Sequence, residues 1–441
     1  MNKKQVVLVP ALRAEGKVQL PGSKSISNRA LLLAAITAGT TTLTGVLASD
    51  DTKVMLESLH KMGVKADALA EKGSYQIQGG SPFSHTAAEL FLGNAGTAVR
   101  SLTAALALMG GDFTLSGIAR MHERPIGDLV EALRAAGAQI DYLENPGYPP
   151  LKIGQPALDL SKPIRVKGDV SSQFLTALLM AAPIATAQTG KDFVLEVEGT
   201  LISRPYIAIT LDMMARFGVK VEHDENWQRF VISHQANYVS PGTLHVEGDA
   251  SSASYFLALG TIAGGPISIE GVGALSVQGD VQFAKVMEHM GATVEYFPNA
   301  MRVTGVQVAQ GEKLKAFDLD FNLIPDAAMT AAAIAIYADG PCTLRNIASW
   351  RVKETDRIDA MQNELRKLGA RVESGPDWLR VYPIEAGQWQ EGAQIETYDD
   401  HRIAMCLSLA SFGPVSLTIL DPDCVSKTYP TYFAVFTDLL R

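Results

Sequence analysis

A unit of about 75 residues recurs along the chain, and this repetition constrains the fold more than any other feature. Each copy has a Gly- or Asp-containing turn, followed by an Ala- and Leu-rich stretch that is typical of a buried helix. The turns are 72, 75, 80, 77 and 74 residues apart, so six copies account for nearly all of the 441 residues. They are marked by Gly22, Asn94, Asp169, Asp249, Asp326 and Asp400.

Two further features repeat in the same rhythm. Helix-like segments end at a Gly before a short strand-like segment, as expected where a left-handed residue ends a helix. Strand-like segments also run into a loop and a second helix in each copy, which predicts an α/β fold. Periodicity leaves open whether the units stack in one row or close into two sets of three. The helix-ending glycines are Gly63, Gly137, Gly218, Gly291 and Gly369.

The composition excludes several classes of protein. Hydrophobic residues make up 47% of the chain and charged residues 19%, as in globular proteins with a large core. The net charge of −9 argues against nucleic-acid or membrane partners. No apolar run is long enough to span a bilayer, and the start lacks a signal core. Three cysteines without a C-x-x-C motif indicate a reduced compartment, so we expect a cytoplasmic protein and, without a coiled-coil pattern, a monomer.

Cations cluster near the predicted helix starts of this acidic chain. Helix N-termini attract anions through unpaired N–H groups and the helix dipole. The pattern indicates a small polyanionic ligand, although surface ion pairing explains any single cation equally well. The cations are Lys24, Arg29, Arg100, Arg120, Arg124, Lys353, Arg357, Arg402 and Lys427.

The strongest acid–base candidates are Asp326 and Glu354, of which Glu354 lies between two cations in sequence. Their alternatives are an N-cap for Asp326 and a solvated charge run for Glu354. The eight histidines lack metal-ligand spacing, so no metal site is expected. The segment Pro21–Ser25 is not a P-loop, because Ser23 separates the Gly from Lys24.

Long motifs resemble the 5-enolpyruvylshikimate-3-phosphate (EPSP) synthase family. LPGSKSISNR at 20–29 is similar to the N-terminal signature of that family, and RVKETDR at 351–357 is similar to its second signature. Shorter matches are LGNAGTAVR at 92–100, VSSQF at 170–174, IPDAAMT at 324–330 and DHR at 400–402. The resemblance spans nearly all of the chain.

The resemblance implies two lobes, each built from three βαβαββ units around a pseudo-threefold axis, in an inverted α/β barrel arrangement. Residues 21–246 would form the N-terminal lobe. Residues 1–20 and 247–441 would form the C-terminal lobe, with hinges near 20–21 and 246–247. We expect the lobes to close when ligands bind, because cations from both would then surround the ligands; an unchanged radius of gyration in scattering with both ligands would contradict this.

The implied reaction transfers the enolpyruvyl group of phosphoenolpyruvate to the 5-hydroxyl of shikimate 3-phosphate and needs no cofactor or metal. Asp326 would take the hydroxyl proton, Glu354 would protonate the methylene carbon, and Lys24 would assist. The residues implied to hold shikimate 3-phosphate are Lys24, Ser25, Arg29, Ser171, Ser172, Gln173, Ser203, Tyr206, Asp326, Ser349 and Lys353. Those implied to hold phosphoenolpyruvate are Lys24, Asn94, Gly96, Arg124, Gln173, Arg357, Arg402 and Lys427.

The chain departs from the family pattern at three positions. Ser101 stands where the family usually has Pro, so inhibition by glyphosate, which resembles phosphoenolpyruvate, is expected to be weaker. Ser349 replaces the usual Asn, which puts one substrate contact in doubt. Asp399 replaces another Asn and would add negative charge near Arg402.

Two alternative functions remain from the sequence. The sister enzyme that adds enolpyruvyl to UDP-N-acetylglucosamine uses a loop Cys, and the matching loop at 117–125 has none. A non-catalytic repeat protein that binds anions would not need Asp326 and Glu354 among the cations.

Overall fold

The computed structural model describes residues 4–441, which divide into two compact units. The split unit consists of the described residues up to Pro21 together with Gly248–Arg441, and the central unit is Gly22–Glu247. The first three residues of the expected lobe 1–20 lie outside the described residues. The hinges expected near 20–21 and 246–247 stay predictions.

The elements occur in chain order as short strands and helices that alternate. The split unit begins with β1 (Gln5–Leu8) and β2 (Ala14–Gln19). The central unit follows with α1 (Lys24–Ile36), β3 (Gly39–Thr44), α2 (Asp50–Lys61), β4 (Lys65–Ala68), β5 (Tyr75–Gly79), β6 (Ala87–Phe91), α3 (Gly96–Met109), β7 (Asp112–Ser116), α4 (Gly127–Ala135), β8 (Ile140–Tyr142), β9 (Leu151–Ile153), β10 (Ile164–Lys167), α5 (Ser172–Thr189), β11 (Phe193–Glu198), α6 (Arg204–Arg216), β12 (Glu222–His223), β13 (Arg229–Ile232) and β14 (Thr243–His245).

The rest of the split unit repeats the same alternation. It contains α7 (Ala250–Ile262), β15 (Gly264–Glu270), α8 (Phe283–Met290), β16 (Thr293–Phe297), β17 (Ala300–Thr304), β18 (Asp318–Asp320), α9 (Ala328–Ile334), β19 (Cys342–Arg345), α10 (Arg357–Lys367), β20 (Val372–Ser374), β21 (Leu379–Val381), β22 (Ala393–Ile395), α11 (His401–Leu407), β23 (Leu417–Leu420) and α12 (Tyr432–Leu439).

Each unit contains three small sheets with one shared topology among the described residues. In each four-stranded sheet the first two strands are parallel and the other two add antiparallel. The orders are β14-β3-β5-β4, β6-β7-β9-β8 and β10-β11-β13-β12 in the central unit, and β2-β15-β17-β16, β18-β19-β21-β20 and β22-β23-β1 in the split unit. The predicted α/β class with three repeat units in each lobe is confirmed.

The chain passes twice from one unit to the other, after β2 and after β14. At each of these crossovers, the strand before the crossover is hydrogen-bonded to another strand of the unit that the chain leaves. β2 precedes α1 but pairs in parallel with β15, where Lys17 lies opposite Ser268. β14 precedes α7 but pairs in parallel with β3, where Thr243 lies opposite Thr42. Each crossover therefore starts from a strand that is hydrogen-bonded within its own unit.

The first helix of each repeat is buried. α7 shows this most strongly, because all 13 of its residues are buried, as expected for a helix that is apolar on every side. These helices begin at Lys24, Gly96, Ser172, Ala250, Ala328 and His401, close to the predicted turns. None of the helices in residues 4–441 is long and apolar enough to cross a membrane.

The third and fourth repeats differ at the start of this helix despite their similar sequences. In α7 the N-cap is Asp249, whose side chain accepts a hydrogen bond from Ser252 N at 2.8 Å. In α5 the N-cap is Ser171, two residues later in the motif, and its hydroxyl accepts from Gln173 N at 3.3 Å. The matching Asp169 is exposed.

Candidate functional site

Asp326 lies among three cations of the split unit. Its Oδ1 is 3.1 Å from Arg357 Nη1 and 3.5 Å from Lys353 Nζ, and its Oδ2 is 3.0 Å from Arg402 Nη2. Asp326 is not an N-cap, because α9 begins at Ala328 and its N-cap position is Ala327. Its carboxylate is therefore free of a capping role.

The cations decide the protonation state of Asp326. Burial alone would raise the pKa of this carboxyl group, but Arg402, Lys353 and Arg357 outweigh burial and hold its pKa well below the usual range. Asp326 is consequently ionised at neutral pH and can accept a proton.

Glu354 belongs to the same network through a shared arginine. Its Oε2 is 2.9 Å from Arg357 Nη2, and its Oε1 is 3.5 Å from Lys427 Nζ. The side chain is only 7% exposed, so the interpretation as a solvated charge run is wrong. Four cations and the two carboxylates of Asp326 and Glu354 thus form one connected cluster.

Local structure explains why the loop residues reach this cluster. Trp350 is fully buried, and its Nε1 donates to Pro325 O at 2.7 Å, which holds the turn that carries Asp326. Asp356 caps α10 and is 2.7 Å from Arg351 Nη1, so the helix that begins at Arg357 is fixed at its first residue. Ser349, in the short 3-10 helix Ala348–Val352, has a buried hydroxyl that makes no hydrogen bond.

Asp400 and Tyr255 contact the cluster, although the sequence did not single them out as site residues. Asp400 Oδ2 is 2.7 Å from Arg357 Nε, and Tyr255 Oη accepts from Arg402 Nη1 at 3.1 Å. Asp400 is the first residue of the DHR motif at 400–402, which was the available signal. Tyr255 is one of many buried positions of α7, and no sequence signal distinguishes it.

Arg29 is the centre of the first group of predicted residues in the central unit. It is 4% exposed, and its guanidinium donates to Thr210 Oγ1 at 3.0 Å, to Ser25 O at 2.9 Å and to Tyr206 O at 3.2 Å. A further bond reaches Thr176 Oγ1 at 3.3 Å, so α1, α5 and α6 meet at this side chain. Burial lowers its pKa to about 10, and the group remains cationic at neutral pH.

The second group surrounds Gly96 at the start of α3. Arg124 Nη1 donates to the backbone and side-chain oxygens of Asn94 at 3.0 and 2.9 Å, and its Nε makes no hydrogen bond. A Cβ atom on Gly96 would lie 2.6 Å from Arg124 Nη2 and 3.0 Å from Arg100 Nη1. Only glycine therefore lets both guanidinium groups approach this helix start.

The remaining predicted residues of the central unit lie at other helix starts. Lys24 is the first residue of α1, and its Nζ is 3.8 Å from Asp51 Oδ2. Ser172 is the first residue of α5, and Gln173, partly exposed, follows it. Ser203 precedes α6 in a left-handed conformation, with φ of 54°. Asn28 Nδ2 donates to Thr97 Oγ1 at 3.0 Å and joins α1 to α3.

Ser101 and Asp399, two of the three departures from the family pattern, differ in their exposure to solvent. Ser101 is a buried residue of α3. Asp399 is exposed and has a left-handed backbone with φ of 53°.

Burial raises the pKa of Cys424 to about 12, so its thiol is not activated. Among residues 4–441, no three His, Cys, Asp or Glu side chains are grouped so that they could hold a metal ion.

Comparison with known proteins gives a consistent result over nearly the full length. The family model of EPSP synthase (3-phosphoshikimate 1-carboxyvinyltransferase) matches residues 10–436. The 3-phosphoshikimate 1-carboxyvinyltransferase of Bordetella pertussis is 62% identical over 433 residues, which cover 98% of this chain and 97% of that protein. The protein of the same name from Burkholderia orbicola is 58% identical over 436 residues, covering 98% and 99% of the two chains.

A solved structure agrees with the sequence relatives. The EPSP synthase of Acinetobacter baumannii superimposes with a TM-score of 0.77 at 27% identity, and the match covers 99% of this chain and 98% of that one.

Proposed function

The chain belongs to the EPSP synthase family, and on this premise we propose which of its residues carry the reaction. The enzyme transfers the enolpyruvyl group of phosphoenolpyruvate to the 5-hydroxyl of shikimate 3-phosphate and releases phosphate, a step of the shikimate pathway. The observation that carries the assignment of roles is the buried cluster in which Asp326 and Glu354 share Arg357.

Asp326 accepts the proton of the 5-hydroxyl. Its carboxylate is ionised because three cations lie within 3.5 Å. The same cations weaken it as a base while the site is empty. An anionic phosphoenolpyruvate that shares Arg357 and Arg402 offsets their charge, so Asp326 becomes a stronger base when the substrate is bound.

Glu354 donates the proton to the methylene carbon of phosphoenolpyruvate. A proton donor must first be protonated, and the contacts of Glu354 with Arg357 and Lys427 favour its ionised form. The negative charge of phosphoenolpyruvate, placed on those two cations, makes protonation of Glu354 easier. Substrate binding thus makes Asp326 a better proton acceptor and keeps Glu354 protonated, as a proton donor must be.

The remaining cations neutralise the substrates. Arg124, with Asn94 and Gly96 beside it, and Lys24 hold phosphoenolpyruvate together with Gln173, Arg357, Arg402 and Lys427. None of the four hydrogen-bond partners of Arg29 described above is a carboxylate. Its positive charge therefore attracts the negative charge of shikimate 3-phosphate. The other proposed contacts of shikimate 3-phosphate are Lys24, Ser25, Ser171, Ser172, Gln173, Ser203, Tyr206, Asp326, Ser349 and Lys353.

The test is phosphate release, measured with shikimate 3-phosphate and with UDP-N-acetylglucosamine as separate acceptors. We expect release with shikimate 3-phosphate alone, and its loss by at least about a hundredfold in Asp326→Asn and Glu354→Gln, since positioned acids and bases contribute that much. Glu391→Gln, at an exposed site, is the control. Full activity of Asp326→Asn or Glu354→Gln would overturn the assigned role of that residue, and release only with the UDP sugar would favour the sister reaction.

We also propose that the enzyme works as a monomer in the cytoplasm. Three free cysteines, all buried, suit a reducing compartment. Sedimentation at micromolar concentration tests the monomer, and a dimer mass would contradict it. Closure on ligand binding stays a prediction for scattering.

A further inference from the structure

Asp280 is a buried carboxyl group of the split unit that the proposed mechanism does not use. It lies in the short 3-10 helix Gly279–Gln282 and is 5% exposed. Its Oδ2 accepts a hydrogen bond from the hydroxyl of Ser251, in the first turn of α7. Burying an ionisable carboxyl group in the protein interior costs free energy, so this position calls for a functional or structural reason.

The loop that carries Asp280 is tied firmly to α7. Gln278 Nε2 donates to Gly248 O at 2.7 Å, and its Oε1 accepts from Ala250 N at 3.2 Å. Ser251 and Tyr255 are four residues apart and share one face of α7. Tyr255 contacts Arg402 at 3.1 Å, and Arg402 contacts Asp326 at 3.0 Å, so the face of α7 that binds Asp280 through Ser251 also reaches the Arg402–Asp326 pair.

Three charged groups act electrostatically on Asp280. They are Asp249 at the start of α7, Asp326 before α9 and Arg402 in α11. Burial and then the charge of Asp326 raise the pKa of Asp280 to about 7, although Ser251 and Arg402 act in the opposite direction. His401, whose Nδ1 is 3.6 Å from Asp400 Oδ1, is a neighbouring titratable group on α11.

We propose that Asp280 is a positioning residue that acts through Asp326: its buried carboxylate opposes the surrounding cations and makes Asp326 a stronger base. This inference rests on the proposed role of Asp326. Cations hold Asp326 ionised but make it a poor proton acceptor, and a second negative charge nearby corrects this. The same charge weakens the attraction of Arg402 for an anionic substrate.

Asp280→Asn removes the charge, while its amide oxygen still accepts from Ser251. A weaker base predicts a kcat lower by about three- to tenfold, since one pKa unit in a base changes the rate by up to tenfold. A less opposed Arg402 predicts a lower KM for phosphoenolpyruvate. A merely structural role would lower kcat with KM unchanged or raised, so the joint fall separates the two explanations.

The pH profile supplies an independent readout. Asp280 gains its charge as pH rises through about 7, so wild-type kcat should rise there, and this rise should be missing in Asp280→Asn. Comparing the two profiles cancels titrations that both proteins share, such as those of His401 and the substrate phosphates. Asp280→Glu should restore the rise.

Ser251→Ala keeps the experiment decisive if Asp280→Asn does not fold. The Ser251 hydroxyl lowers the pKa of Asp280, so its loss should move the rise in kcat to higher pH. Unchanged kcat, KM and profile in Asp280→Asn, or an unmoved profile in Ser251→Ala, would overturn the inference. Asp326→Asn is measured in parallel: if it stays active, the proposed base is wrong, whereas if it is inactive and Asp280→Asn behaves as wild type, this inference alone fails.

Discussion

Arg357 Nε lies 2.7 Å from Asp400 Oδ2, and both side chains are at most 1% exposed. Asp400 also accepts a hydrogen bond from Arg402 N at 2.9 Å, which caps α11. The other nitrogens of Arg357 reach Asp326 and Glu354. One aspartate therefore holds the arginine in place between the two carboxylates that we assign to proton transfer.

Asp400→Asn should damage both stability and phosphoenolpyruvate binding. The substitution removes the closest of the three carboxylates around the buried Arg357, and disrupting a buried ion pair costs up to about 3–5 kcal/mol. We expect urea unfolding at lower concentration and a higher KM for phosphoenolpyruvate. Asp399→Asn, next to it but exposed, should change neither; equal effects of the two variants would contradict the role of Asp400.

Gly96→Ala should impair phosphoenolpyruvate binding. The new Cβ would lie 2.6 Å from Arg124 Nη2, so the guanidinium must move away from the start of α3. We expect a KM for phosphoenolpyruvate about ten- to a hundredfold higher, as small misplacements cost in other active sites. Gly80→Ala is the control, because no atom lies within 4 Å of its new Cβ. A normal KM for Gly96→Ala would show that Arg124 does not hold this substrate.

Arg29→Lys should raise the KM for shikimate 3-phosphate and leave that for phosphoenolpyruvate nearly unchanged. Lysine keeps the charge but cannot contact Thr176, Thr210 and two carbonyl groups in the fixed geometry of a guanidinium. Steady-state kinetics with each substrate varied in turn measure the effect. Arg216→Lys, whose partner Asp212 is at the surface, serves as the control, and equal changes in both KM values would count against the assignment.

Ser101→Pro should strengthen inhibition by glyphosate. Within α3 the N–H of Ser101 faces the carbonyl of Thr97, and proline has no N–H and a fixed φ. The first turn, which carries Gly96, would then be held differently. Inhibition constants are compared for wild type, Ser101→Pro and Ser101→Ala; a wild-type constant no higher than that of Ser101→Pro would refute the prediction.

Asp280 should also make stability depend on pH. Its folded pKa of about 7 lies above the unfolded value near 3.8, so the folded state binds the extra proton and loses stability as pH rises from about 4 to about 7. Asp280→Asn should unfold at higher urea concentration than wild type at pH 8, with a smaller difference at pH 5. An equal difference at both pH values would rule out this titration.

Much of the fold was predictable from the spacing of turns and helices. The rhythm of Gly22, Asn94 and Asp169 and their later counterparts indicated six α/β units, because each helix must bury an apolar surface that recurs in sequence. Periodicity could not divide the units into two sets of three. That division depends on β2 pairing with β15 and β14 with β3, which are contacts between distant parts of the chain.

The site was predictable as a set of motif residues but not as a network. Lys353, Glu354 and Arg357 stand together in one motif, and their sequence alone indicated charge near a helix start. Which carboxylate meets which cation was decided by folding, since Asp326 is 31 residues from Arg357 and 76 residues from Arg402 in the chain but lies within 3.1 Å of both in space. The places of Tyr255, Asp280 and Asp400 in this network were visible only in the tertiary structure. Burial and the electric field of neighbouring charges exist only once the helices are packed.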